Sequence, residues 1–133
     1  MTDIFNISQI NDKFIFFKND THTRMIPPLA KLLYIRVKAE QDFYTRMYDE
    51  TAAMLSAKKE AVDAKGEHTE TDMDVIRKLP LDEKVKAEGA REYYLADVHA
   101  LHGFYEILDN VREKRDHCDK LMRQIKIVLE KVK

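Results

Sequence analysis

The last fifty-odd residues constrain the fold most, because they read as one uninterrupted amphipathic helix. Residues 81–133 contain no proline and only two glycines. The stripe along this segment consists of two heptad series, three residues apart: Tyr94, Leu101, Leu108, Arg115, Met122 and Leu129, and Asp97, Phe104, Val111, Cys118, Ile125 and Val132. Further apolar residues widen this stripe, as expected for a helix packed against two neighbours. A rod of roughly 75 Å, at about 1.5 Å per residue, cannot bury such a stripe alone.

A partner for this helix is predicted over residues 27–65. Pro27 and Pro28 suit a first helical turn, and apolar residues then follow helical spacing for about 35 residues. Gly66 suits a left-handed cap at the far end. We therefore expect an antiparallel hairpin of two long helices.

The two long helices are joined by a connector over residues 66–79. Asp72 and its neighbours there can cap a single helical turn. Pro80 then begins the C-terminal helix over residues 80–133, with acidic residues in its first turn. Gly89 and Gly103 within this helix predict bends or close helix approaches.

Residues 1–23 form an N-terminal docking segment whose secondary structure is ambiguous. Apolar residues recur at helical spacing, whereas residues 14–17 (FIFF) alone could form a buried strand. A short helix is favoured, because a lone strand has no visible partner in the sequence. The segment is expected to dock on the hairpin or on a partner subunit.

Composition indicates a single helical domain in a reducing compartment. Gly and Pro number three each, and charged residues make up 35%. The one cysteine, Cys118, lies on the apolar stripe and is expected to be a buried, unreactive thiol. No run is long and apolar enough to predict a membrane span or a signal peptide, so we expect a soluble, cytoplasmic protein.

The sequence carries no motif that would identify an enzyme. His99, His102 and Glu106 are spaced so that a helix would bring them together, as a metal site requires. They lie on the side of the helix away from the apolar stripe, however, and are expected to be solvated. Phosphate loops, nucleophile elbows and zinc signatures are absent. We expect a non-enzymatic protein without metal or cofactor.

Two charged residues interrupt the stripe, Asp97 and Arg115. A charge at such a position is costly unless it is paired, and in coiled coils it sets register and oligomer state. These residues either meet opposite charges on a neighbouring helix or lie where the stripe is exposed. The predicted oligomer interface comprises Tyr94, Asp97, Leu101, Phe104, Leu108, Val111, Arg115, Met122 and Ile125.

The net charge of −1 hides two basic regions, residues 12–38 and 111–133, each near +4. They would lie together if the long helices fold back on each other. Basic side chains of the C-terminal region form either a solvated flank or a surface for an anionic partner such as a phosphate backbone. Under the second interpretation the contacts come from Arg112, Lys114, Lys120, Arg123 and Lys126.

Three short strings resemble the UvsY-type recombination mediators of tailed phages. They are residues 24–29 (RMIPPL), 94–97 (YLAD) and 123–126 (RQIK), and the chain length agrees. The basic, glycine-containing segment that these proteins carry after the first long helix has no counterpart here. The resemblance implies a helical homo-oligomer that binds single-stranded DNA and helps to load a recombinase.

Residues 35–44 (IRVKAEQDFY) and 92–97 (EYYLAD) resemble parts of BAR-type helical modules, which bind curved membranes as antiparallel dimers. The predicted fold is all-α: an elongated, self-associating hairpin with a short N-terminal helix and coiled-coil-like packing. A single-stranded-DNA-binding mediator is the first functional hypothesis. The alternatives are a helical adaptor or inhibitor of another protein and, third, a BAR-like membrane module.

Overall fold

The computed structural model describes residues 3–132, without the side chain of Val132. The ends of two predicted segments, residues 1, 2 and 133, therefore lie outside the described residues. The side chain of the stripe position Val132 also lies outside them. A 3-10 turn comes first, followed by three strands and three helices: Ile4–Asn6, β1 (Ile7–Ile10), β2 (Phe14–Phe17), β3 (His22–Arg24), α1 (Pro27–Gly66), α2 (Met73–Arg77) and α3 (Leu81–Val132). The chain is mostly helical, but its small sheet means that it is not all-α.

The prediction of a short N-terminal helix is wrong. Residues 7–24 form an antiparallel meander in the order β1-β2-β3, preceded by the single 3-10 turn. The strand over Phe14–Phe17 has partners on both sides, supplied by short flanking stretches that sequence periodicity did not reveal. These two flanking strands, β1 and β3, are too short and too polar to be recognised as strands from the sequence.

Local side-chain hydrogen bonds form the two hairpin turns. Asn11 Oδ1 accepts hydrogen bonds from the backbone N–H groups of Lys13 and Phe14, at 2.9 and 2.7 Å. In the second turn Asp20 has a left-handed backbone, with φ of 66°, a conformation that Asp tolerates better than most residues. These turn residues mark where the chain reverses between neighbouring strands.

The helix ends follow from their capping chemistry. Asp72 caps α2 by accepting from the backbone N–H of Asp74 at 2.9 Å, which confirms the predicted single turn. Gly66 ends α1 without a positive φ, so the predicted left-handed cap is wrong. A Cβ at Gly66 would stand 2.8 Å from the Tyr94 hydroxyl oxygen, and close approach is therefore the reason for glycine here.

Contacts divide the chain into two compact units that share both long helices. One comprises Met1–Tyr48 and Asn110–Lys133, which we call the sheet unit, and the other, Asp49–Asp109, we call the helical unit. In the sheet unit the two helical segments run antiparallel: Gln41 contacts Asp119, and about two turns further along α1 Tyr48 contacts Arg115, which lies about one turn earlier on α3. The sequence predicted one helical domain and did not anticipate this division.

The sheet packs on the helix pair of its own unit. The shared core combines the 3-10 turn, the inner sheet face, α1 and α3: Ile4, Ile7, Ile10, Ile15, Met25, Ala30, Leu33, Val37, Cys118, Leu121, Met122, Ile125 and Val128. Side chains of α3 also cover the outer edge of β1, since Gln124 Oε1 accepts from the Ile10 N–H at 2.7 Å and Lys120 Nζ donates to the Ser8 carbonyl at 2.8 Å. The N-terminal segment thus docks on the chain itself.

The helical unit has a thin core. Leu55, Val62 and Ile76 are its buried apolar side chains. Eight large apolar side chains of the same unit are exposed: Met54, Val75, Leu81, Val85, Tyr93, Leu95, Tyr105 and Ile107. Among the described helices, none is long and apolar enough to cross a membrane.

Candidate nucleic-acid interface

Charge is segregated between the two units. The sheet unit carries 15 basic and 9 acidic residues, a net charge of +6, whereas the helical unit carries 8 basic and 15 acidic residues, a net charge of −7. Both basic regions of the sequence belong to the sheet unit, because its segments of α1 and α3 pack together. A chain that is nearly neutral overall therefore has one strongly basic unit.

Two of the five predicted DNA-binding residues contact the N-terminal segment. Lys114 Nζ lies 4.2 Å from the centroid of the Phe5 ring, within cation–π range. Lys120 Nζ donates to the Ser8 carbonyl at 2.8 Å. Both ammonium groups remain at the surface, but each also stabilises the docking of the N-terminal segment. A substitution of Lys114 or Lys120 would therefore affect the docking of the N-terminal segment as well as any binding of DNA.

Arg112, Arg123 and Lys126 are exposed elsewhere on α3. Arg112 and Arg123 share one side of the helix, since eleven residues make about three turns. Asp116 lies near the same side and forms an ion pair with Arg115, with 3.2 Å between Nη2 and Oδ1. The five predicted residues therefore form two groups rather than one continuous basic stripe.

The predicted oligomer interface is divided between the two units. Val111, Met122 and Ile125 are buried in the sheet unit, where they are already covered by this chain. Arg115 lies over the Tyr48 ring, with 4.4 Å between Cζ and the centroid. The remaining residues are partly buried in the helical unit: Tyr94, Asp97, Leu101, Phe104 and Leu108.

A second apolar stripe, on α1, was missed by the sequence reasoning. Leu32, Ile35 and Phe43 are 56%, 67% and 44% exposed, and Ala39 lies between them on the same side. Their spacing of three or four residues is visible in the sequence. Because these residues lie next to the buried positions Leu33 and Val37, the sequence pattern does not distinguish the exposed stripe from the core stripe.

The three residues with metal-ligand spacing lie at the surface of α3. His99, His102 and Glu106 are exposed on α3. Among residues 3–132, no cluster of three or more His, Cys, Asp or Glu side chains could hold a metal ion.

No protein-family profile, curated protein or solved structure matches this chain. Function must therefore be inferred from the residues of the two units themselves.

Proposed function

We propose that this protein is a non-enzymatic, oligomeric accessory protein that binds single-stranded DNA and assists a recombinase, like the UvsY-type mediators that its sequence resembles. The charge segregation carries the proposal. Because one unit has a net charge of +6 and the other −7, the first attracts a polyanion and the second repels it. Phosphate contacts of this kind bind without sequence preference.

The proposal includes self-association of an antiparallel helical hairpin, and the helical unit supports this part. A unit that buries three apolar side chains and exposes eight large ones gains stability by covering them. We expect the substitutions Leu95→Ser and Ile107→Ser, made together, to lower the mass measured by light scattering. Ile127→Ser is the matched control, because Ile127 is similarly exposed but belongs to the sheet unit.

Binding to a labelled single-stranded oligonucleotide over a salt series tests the DNA-binding part. The test variant is Arg123→Ala with Lys126→Ala, which leaves the structural contact of Lys120 intact. Lys59→Ala with Lys86→Ala removes the same charge from exposed positions of the helical unit. We expect the first variant to bind several-fold more weakly at low salt, with a salt slope reduced by about 0.7 for each phosphate that it no longer neutralises. The second variant should bind nearly as well as the wild type, with an unchanged salt slope.

Two outcomes would contradict this proposal in different ways. Equal weakening by both variants would mean that net charge matters and the assigned surface does not. A wild-type protein that binds no single-stranded oligonucleotide even at low salt would remove the DNA-binding function itself.

A protein-binding adaptor is the second candidate, and the exposed α1 stripe of Leu32, Ile35, Ala39 and Phe43 favours it. A hollow of about 290 Å³ adjoins this stripe and is lined mainly by apolar residues of the sheet and α1. A partner bound there should be retained at high salt and lost with Ile35→Asp, while oligonucleotide binding stays unchanged. A partner that salt releases would contradict this candidate.

A further inference from the structure

The outer face of the sheet carries an aromatic cluster that takes no part in the core. Alternation along β2 places Ile15 and Phe17 against the core, and Phe14 and Phe16 on the opposite face. The His22 ring lies beside both, with centroids 5.1 Å from Phe14 and 6.0 Å from Phe16. Phe14 and Phe16 are 5.9 Å apart. Three rings therefore contact one another at the surface.

The strand register surrounds these rings with polar and basic groups. Arg24 is the cross-strand partner of Phe14, and Gln9 is that of Phe16. An open depression of about 500 Å³ adjoins Phe14 and Arg24, and its other lining residues are Asp12, Lys13 and Met25. Asp12 is the one acidic residue of this lining.

Asp12 forms a surface ion pair with α3. Lys131 Nζ lies 3.8 Å from Asp12 Oδ2. Lys13, Arg24 and Lys131 thus leave the depression net positive beside the half-buried Phe14 and Phe16 rings and the exposed His22. The arrangement combines aromatic surface with cations, as proteins that bind single strands do.

We propose that the outer sheet face, with Phe14, Phe16 and His22 as the ring cluster and Lys13 and Arg24 as its cations, is a base-stacking site for single-stranded nucleic acid. The inference rests on the proposed function and deepens it, because it assigns the bases a site on the sheet, distinct from the five α3 residues predicted to contact phosphates. Unpaired bases have accessible faces, whereas bases within a duplex do not. The site therefore selects single strands over duplexes.

A nucleic acid explains these features better than an apolar protein partner. Phe14 and Phe16 have Arg24, Gln9 and the exposed His22 as cross-strand partners, and Lys13 lines the adjoining depression. The exposed apolar stripe of the sheet unit lies instead on α1, at Leu32 and Ile35. Charge complementarity with a phosphate backbone thus favours the strand as the occupant of the sheet face.

The test measures binding of the full chain to a thymine oligonucleotide of about 16 nucleotides and to an abasic chain of equal length, each over a salt series. The variant Phe14→Leu with Phe16→Leu removes both phenyl rings and keeps apolar side chains at these positions. We expect it to bind the thymine oligonucleotide about tenfold more weakly, with an unchanged salt slope. Lys13→Gln with Arg24→Gln should instead reduce the slope.

Two controls separate stacking from folding. Tyr93→Leu removes a 72% exposed ring from the helical unit and should leave binding unchanged. Circular dichroism and thermal unfolding show whether the double leucine variant is folded. If it is not, His22→Ala tests the same cluster from an exposed position of β3, with the same expected loss of preference for thymine over the abasic chain.

The outcomes distinguish the two proposals. Wild-type protein that binds the oligonucleotide, with folded ring variants that bind equally well, would overturn the stacking site and leave the proposed function standing. Equal affinity of the wild type for the thymine and abasic chains would also overturn the stacking site and leave the proposed function standing. No binding by the wild type would end both proposals.

Discussion

The carboxylate of Asp97 lies 3.0 Å from the ammonium of Lys65, which joins α3 to α1 within the helical unit. Lys58 Nζ is 3.7 Å from the other carboxylate oxygen. Asp97 interrupts the apolar stripe of α3, and these two lysines explain how the structure accommodates its charge. The pairing takes place within one chain, so this position does not require a second subunit.

The pKa of Asp97 provides the first prediction. The hydrogen bond donated by Lys65 is the main reason why this pKa lies below its ordinary value. A carboxylate with a lowered folded-state pKa stabilises the protein above its unfolded-state pKa, and this stabilisation is lost as pH falls through the folded-state value. We expect Lys65→Gln to raise the pKa of Asp97, measured by NMR titration of its carboxyl carbon.

Lys59→Gln is the control for this titration, because it removes an exposed charge from the same helix six residues from Lys65. It should move the pKa of Asp97 much less. Equal shifts in the two variants would show that the general charge of α1, rather than the hydrogen bond, lowers the pKa.

The close approach of Gly66 to Tyr94 predicts that Gly66→Ala lowers or raises the free energy of unfolding according to whether the Tyr94 ring is present. A Cβ at Gly66 would meet the Tyr94 hydroxyl oxygen at 2.8 Å, so Gly66→Ala must displace that ring. Overpacking of this kind costs about 1–3 kcal/mol, against a helix-propensity gain of about 0.5–1 kcal/mol. We expect Gly66→Ala to lower the free energy of unfolding in urea by about 1 kcal/mol, and to raise it when Tyr94→Leu is present.

Gly89 and Gly103 are matched controls on α3. A Cβ at either position meets no atom within 4 Å, so the predicted close approaches do not occur there. Alanine at each should raise the free energy of unfolding by about 0.5–1 kcal/mol. Destabilisation by Gly89→Ala would show that α3 has contacts at this position that the single chain lacks.

Cys118 is predicted to be an inert thiol in the folded protein. Its side chain is fully buried, as the sequence indicated, and burial raises its pKa to about 11. Because the thiolate is the reactive form, a disulfide reagent at about pH 8 should react at least about a hundredfold more slowly than with the urea-unfolded chain. Similar rates in both states would mean that the sheet unit opens readily around Cys118.

His117 should make stability depend on pH between about 7 and 5. Its Nε2 donates to the Ile4 carbonyl at 3.1 Å. Burial is the main cause of a pKa below the ordinary value, and the charges of Lys18 and Lys120 act in the same direction. The unfolded chain therefore binds a proton more readily, so stability is complete above the unfolded-state pKa and declines as pH falls through the folded-state value.

We expect the thermal midpoint of the wild type to fall more between about pH 7 and pH 5 than that of His117→Gln. Glutamine can keep the hydrogen bond to Ile4 but does not titrate. An identical pH dependence in the two proteins would exclude His117 as its source.

Much of the helical structure was readable from local sequence. Pro27 and Pro28 at one helix start, Asp72 at the α2 cap and the absence of proline after position 80 are local signals, and the structure places α1, α2 and α3 accordingly. The heptad stripe likewise indicated that Cys118 faces a core. These features depend on backbone chemistry within a few residues, which any copy of the same segment would share.

The strands, the division into two units and the candidate site were decided by tertiary structure. Phe14–Phe17 becomes a strand because β1 and β3 pair with it and because its inner face packs on α1 and α3, neither of which a local pattern encodes. The same packing brings the basic regions of residues 12–38 and 111–132 into one unit and leaves Phe14, Phe16 and His22 outside the core. Sequence determined where the helices begin and end, whereas contacts between distant segments determined which charges and rings share a surface.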